Sequence, residues 1–435
     1  MATLSSSIRL VPDASVNAFL ERQSRTWSEG AEGFSSGVSV DNISRFLSGR
    51  GAPPAPKLGH LSPEERRLRR SAHRAKAEGA NPIASWAQQM AASFAHDPLQ
   101  PVLRRAASGR QSVIYLRASG DRLENPAPFE KLKAAGVKIV VMTYDTIPLD
   151  FPEFVRPKAA QTCAARVSNM ARLADGIISI SHYSAGRLAP YLQPFNPKVT
   201  VAHLGTDEPN LPAGCPSFAG MPYFLVISTI EARKNHMLLL NVWRRMVDEM
   251  GSRTPRLIIA GKRGWEAQTP LAVLDRAREL RPFVYEAGAV SDQTLHLLRR
   301  DATALLMPSF VEGFGLPVTE ALAVDTPVIA SDIPVFREIA GEAAELIDPL
   351  DGPGWRAAIC EYAGAKSARR AAALARAQAY AAPTWDAHFD KVRHFLDEMA
   401  ADTPSTFAQR ARRRVLDTAA MVGQRTAPIA LTRPH

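Results

Sequence analysis

Two carboxylates, Glu312 and Glu320, flank a glycine-bearing turn in Ser309-Phe-Val-Glu-Gly-Phe-Gly-Leu-Pro-Val-Thr-Glu320, directly after an apolar run. Gly313 and Gly315 allow a backbone to come close to a ligand, and Pro317 suits the first turn of a helix expected to begin near Leu316. Such a helix start offers free N–H groups and the positive end of a dipole to a phosphate. A phosphate would repel Glu312 and Glu320, so their better use is to accept hydrogen bonds from sugar hydroxyls. A ligand with hydroxyls on both sides of a diphosphate satisfies both requirements. The bland alternative is a strand-to-helix junction whose glutamate only answers the helix dipole.

Two basic segments stand at comparable places. Ile230-Glu-Ala-Arg-Lys-Asn235 and Gly261-Lys-Arg-Gly264 each follow an apolar strand pattern. Arg233, Lys234 and Lys262 could neutralise a diphosphate leaving group, with Gly261 opening room for the backbone. One basic pair at a strand end is ordinarily surface decoration; convergence with the Glu-Gly-Phe-Gly turn is what favours a site. Glu312 and Lys234 both fall in loops at strand ends, so substituting them is expected to spare the fold. No Asp-x-Asp pair occurs, and the ten histidines show no ligand spacing. No metal is therefore expected, and His182, His203, His236 and His296 are read as surface or supporting residues.

These segments need strands to hold them. From residue 112 on, short β-branched runs alternate with longer helical patterns, the signature of βαβ units and parallel sheets. Strands are expected at 112–116, 138–145, 176–181 and 198–203, then at 223–229, 256–262, 284–290, 304–309, 327–332 and 344–349. The predicted class is α/β, with two doubly wound Rossmann-like domains. In such sheets ligands lie outside the carboxyl ends of the strands, where the segments above fall. The domain reading gives a poorly legible part of the first domain at 1–110, the first domain proper at 111–205, and a Pro- and Gly-bearing linker at 206–222. The second domain follows at 223–385, then a C-terminal helix at 386–403 and a basic tail at 404–435. Within 1–110, Ser62 and Glu65 form a capping box that predicts a helix start.

Composition agrees with two domains: 435 residues at 46% apolar content exceed what one core usually organises. Cys163, Cys215 and Cys360 have no metal or redox spacing, which suits a reducing compartment. No apolar run is long enough to cross a bilayer and no secretory leader pattern is visible, so the expected location is cytoplasmic. The net charge of +10 is concentrated in residues 62–79 and 404–435. In the tail, Arg410, Arg412, Arg413 and Arg414 lie among Phe407, Val415, Leu416 and Met421. That mixture predicts an anionic membrane surface as partner, on the inner face of the plasma membrane, and no nucleic acid.

The run from Tyr223 to Asp351, with STIEARKNHMLLL, IAGKRGW, EAGAVSD, MPSFVEGFGLPVTEALA and TPVIASDIPVFREIAG, resembles retaining glycosyltransferases of family 4. VMTYDTIPLDFPEF and ADGIISISHYSAGRL resemble that family's acceptor-side segments, particularly in mannosyltransferases of bacterial polysaccharide assembly. The resemblance implies the GT-B fold, two domains facing a central cleft, and a GDP- or UDP-linked sugar as co-substrate with no other cofactor. It implies a glycan or lipid-linked acceptor, metal-independent transfer, and retention by front-side attack. It also implies that Glu312 contacts the donor sugar, Glu320 the ribose, and Lys234 with Arg233 the diphosphate, with Gly261, Lys262, Gly313, Phe314, Gly315 and Leu316 around the donor. Tyr144-Asp145 stands where many relatives have His-Asp beside the reacting carbon, and Asp325 stands where relatives usually have Gly. A non-catalytic binding module and a sugar-nucleotide epimerase are the alternative functions.

Overall fold

The computed structural model describes residues 40–49, 112–118, 123–206, 217–218, 220–364 and 366–401. The first sheet contains β1 (Ile114–Arg117), β2 (Lys138–Thr143), β3 (Gly176–Ser179) and β4 (Lys198–Val201), in the order β1-β2-β3-β4 with every pairing parallel. All residues of β2 and β3 are buried, because helices cover the sheet and the strands can be apolar throughout. Lys138 is the exception in chemistry. Its Nζ donates to the Met399 carbonyl at 2.5 Å, at the far end of the helix Trp385–Ala401. That helix leaves the second domain and packs on the first sheet, where Phe395 and Met399 stand against Gly176.

The second sheet contains β5 (Tyr223–Ile227), β6 (Arg256–Ala260), β7 (Val284–Gly288), β8 (Ala304–Met307), β9 (Val328–Ser331) and β10 (Glu345–Ile347). Its order is β10-β9-β8-β5-β6-β7, again all parallel. The chain therefore starts in the middle, winds outward to β7, crosses back to β8 and winds the other way. Crossovers diverge between β5 and β8, so the loops after these two strands border the crevice such a topology leaves. Nine of the ten strands fall inside the runs read from the sequence, whose upper limits overshoot into the loops, as 138–145 is strand only over Lys138–Thr143; β1 instead runs one residue past 112–116, to Arg117.

Of residues 1–110, the described part is a single helix that packs against the second sheet. The helix Val40–Leu47 buries Ile43, Phe46 and Leu47, and Phe46 stacks on Tyr285 of β7 with ring centroids 5.1 Å apart. The Arg256 guanidinium lies 6.0 Å from the same ring. This helix thus covers the edge of the second sheet; an amphipathic period tells that a helix has an apolar face but not which sheet will take it. The capping box at Ser62, the basic stretch 62–79, the tail 404–435 and most of the linker lie outside the described residues. Phe218 of the linker is buried, and its N–H and the Ser217 hydroxyl donate to Asp301 at 2.7 and 3.0 Å. Asp325 has φ +59°, so it fills a left-handed turn position that favours glycine. No helix among the described residues is long and apolar enough to cross a membrane.

Candidate active site

The loops after β5 and β8 are tied together, and the tie assembles the charged residues. After β5 the chain forms a 3-10 turn, Ala232–Lys234, that ends on Asn235 in a left-handed conformation, φ +53°. The Asn235 amide holds that turn by donating to the Pro349 carbonyl at 3.0 Å. From the other loop, the Phe310 N–H donates to the Arg233 carbonyl at 2.8 Å, and Arg233 Nη1 donates to the Val311 carbonyl at 3.2 Å.

Glu312 lies between the two cations. Arg233 Nη1 donates to Oε2 at 2.6 Å, Lys234 Nζ donates to Oε1, and the Ser309 hydroxyl adds a bond to Oε1 at 2.8 Å. The residue is only 5% exposed. Burial alone would raise its pKa, but the charges of Lys234 and Arg233 and their hydrogen bonds outweigh burial and hold it below the ordinary value. Glu312 is therefore an ionised carboxylate locked into an ion triad, not a free loop side chain. The expectation that its substitution spares the fold changes accordingly, since the loop positions are buried together. Behind Lys234, His236 is buried with Nε2 3.3 Å from the Ser228 hydroxyl; burial, and then the Lys234 charge, push its pKa down to about 4. It stays neutral at physiological pH and completes the support of the β5 loop.

The first domain meets this cluster at the end of β2. A Cβ on Gly313 would stand 2.8 Å from the Tyr144 carbonyl oxygen and 3.0 Å from Asp145 Cβ, so the room the glycine makes is filled by the facing domain. The hydroxyls of Ser181 and Ser184 donate to the Gly313 carbonyl at 2.8 and 3.0 Å. Asp145 has its pKa raised, chiefly by burial, with the Ile147 N–H and the Arg233 charge opposing. Tyr144 is 41% exposed and donates its hydroxyl to the Ala118 carbonyl at 2.7 Å. Two further contacts join the domains beside the triad: Phe154 stacks on Phe310 at 5.5 Å, and Arg156 lies 5.5 Å from the Trp265 ring. Tyr144 and Asp145 also line a cavity of about 580 Å³ in the first domain, together with Arg156, Lys158 and Arg166.

The remaining residues singled out by sequence are spread around this centre. Glu320 lies in the helix Leu316–Leu322, where Arg299 Nη2 donates to its Oε2 at 2.5 Å. Arg299 is 6% exposed, a partner that no spacing announced. Leu316 opens that helix and Pro317 is its second residue, with Gly315 preceding it at φ +108°. Phe314 is buried with its ring 5.7 Å from His203. A Cβ on Gly261 would collide with the Ser228 carbonyl oxygen, so this glycine serves contact between the β5 and β6 loops. Lys262 is exposed, and its carbonyl accepts from the Ile230 N–H at 2.9 Å. The histidine spacing concealed one grouping: His182, His203 and Glu338 have side-chain donor atoms within 4.8 Å of one another.

Residues 210–352 match the family model described as glycosyl transferases group 1. The serotype-specific mannosyltransferase WbdA of Escherichia coli is 31% identical, over 49% of this chain and 28% of that protein. O-antigen chain mannosyltransferase B of Escherichia coli is 36% identical, over 30% of this chain and 33% of its own length. The chain thus spans about a third or less of these relatives. Among solved structures, Anabaena HepE in complex with UDP superimposes with TM-score 0.52 at 15% identity, covering 69% of this chain and 82% of that one.

Proposed function

We propose that the chain is a retaining hexosyltransferase, a reading supported by the match of residues 210–352 to the group 1 glycosyl transferase family model and by the likeness of its fold to that of HepE. Its donor is a nucleotide sugar, GDP-mannose in this reading, and its acceptor is a growing glycan or lipid-linked glycan of polysaccharide assembly. The mannose preference rests on the likeness to the O-antigen mannosyltransferases.

The observation that carries the proposal is the triad of Arg233, Lys234 and Glu312 at the divergence between β5 and β8, against Tyr144 and Asp145 of the first domain. A bound diphosphate and Glu312 compete for the same two cations. When the diphosphate takes Arg233 and Lys234, the Glu312 carboxylate turns its oxygens to the sugar hydroxyls on that side. As the bond from the anomeric carbon to the phosphate oxygen breaks, negative charge grows on the leaving diphosphate, and the two cations stabilise it more than they stabilise the intact donor. The acceptor hydroxyl attacks from the leaving-group face and passes its proton to the departing phosphate oxygen, so the anomeric configuration is kept. Tyr144 and Asp145 link this centre to the 580 Å³ cavity, which is where the acceptor is assigned.

A panel of nucleotide sugars tested by thermal shift examines the donor. GDP-mannose at 100 times its dissociation constant should stabilise the protein by about 2.7 kcal/mol, with weaker shifts for other sugars and none for sugars lacking a nucleotide. Because side-chain cations meet the diphosphate, transfer should survive chelation by EDTA. Complete loss of turnover, restored by magnesium or manganese, would remove that part of the mechanism. Tyr144→Phe deletes one hydroxyl and one 2.7 Å bond. Its transfer rate should fall about tenfold, the loss expected of a single hydrogen bond, whereas Tyr144→His should stay active. Unchanged turnover in the Phe variant would move the role to Asp145.

A further inference from the structure

Away from the triad, three side chains capable of binding a metal meet where the two domains touch. We propose that His182, His203 and Glu338 form a site for a divalent ion of the zinc class that ties the two domains together. His182 opens the helix His182–Leu188 after β3, His203 follows β4, and Glu338 comes from the helix Pro334–Ala340 of the second domain. The three donor atoms lie within 4.8 Å of one another.

Two features make this more than a chance cluster. Glu338 is aimed by the first domain's own backbone: the His182 N–H donates to Oε1 at 2.7 Å and the Tyr183 N–H to Oε2 at 2.8 Å. With the His203 ring on Oε1 as well, these two N–H groups fix the carboxylate in orientation. Backbone donors of this kind are the usual outer support of a carboxylate ligand. Secondly, the His182 ring is exposed, stands at 90° to the His203 ring with centroids 5.9 Å apart, and has no hydrogen bond or ion pair among the described residues. One uncommitted imidazole beside an oriented His–carboxylate pair leaves three donor atoms within 4.8 Å of one another.

Two imidazoles and a carboxylate suit zinc, with water as the fourth ligand; magnesium and calcium prefer all-oxygen sets. His203 Nε2 stands 2.7 Å from Glu338 Oε1. Two ligands of a tetrahedral zinc ion are about 3.3 Å apart, so binding opens this contact slightly and puts the ion in place of the shared proton. The ion would restrain separation of the domains at the edge nearest Phe314, without taking part in the transfer chemistry.

The test uses the full chain freed of metal by chelator, titrated with zinc chloride in excess magnesium. One equivalent should bind, cobalt should give the intense visible absorption of tetrahedral coordination, and the melting temperature should rise with zinc concentration. His182→Ala, which breaks no hydrogen bond, should weaken zinc binding at least tenfold and remove the cobalt spectrum while leaving the metal-free melting temperature unchanged. His203→Gln, which can keep a hydrogen bond to Glu338, should also lose the ion. Absence of saturable zinc binding, or wild-type binding and spectrum in either variant, would overturn the proposal.

Discussion

Glu312→Gln is expected to lower the transfer rate by about 10²–10³, the range seen when one electrostatic contributor to a transition state is removed. The variant keeps the shape of the side chain and the Ser309 contact, and the change is confined to charge. Donor affinity should be little changed, because Arg233 and Lys234 lose a competitor for the diphosphate while the sugar loses a charged acceptor. Stability should fall by about 1–3 kcal/mol, since two largely buried cations lose their shared anion. That cost depends on pH in a defined sense. The Glu312 pKa is depressed in the folded protein, so its contribution to stability is present above the ordinary carboxylate range and is lost as the pH falls through the lowered value. The gap in stability between the two proteins should therefore close in acid. A glutamine variant that transfers at the normal rate would take Glu312 out of the site.

Lys234→Ala is expected to act on binding and on chemistry together. Lys234 and Arg233 meet the diphosphate in both the bound donor and the transition state, but the charge to be met is larger in the latter. The donor KM should rise and kcat should fall, with a combined loss of about 10²–10³ in kcat/KM. Glu312 would keep Arg233 and Ser309, so the fold should survive with a stability loss of about 1–3 kcal/mol. Unchanged KM and kcat would show that the ammonium group serves only to neutralise Glu312.

The strands were the most legible part of this chain. Runs such as KIVVM and LIIAG are apolar without alternation because their sheets are covered on both faces, and the loops that follow mark the carboxyl ends. From those ends alone, Arg233, Lys234 and Glu312 could be placed on one rim. What they do to each other there could not be read, because a 2.6 Å pairing between residues 79 positions apart leaves no periodic trace. The same holds for Arg299 beneath Glu320 and for Phe154 against Phe310. His182 and Glu338 are 156 positions apart and on different domains, so local spacing gave no hint of their grouping. Gly313 and Gly261 were recognised as points of close approach, but the partner is protein backbone in each case. The helix Val40–Leu47 shows the same limit, its apolar face being plain and its docking surface not.

Release of nucleoside diphosphate from GDP-mannose by the purified full chain, without acceptor and in the presence of EDTA, tests the central claim most directly. A retaining transferase whose cations activate the diphosphate should liberate GDP and mannose slowly. The reaction should be sharply reduced in Glu312→Gln and Lys234→Ala and accelerated when a glycan acceptor is supplied. Nucleotide sugars that bind to the second domain but are never cleaved, or that return with an isomerised sugar, would contradict it and point instead to a binding module or an epimerase.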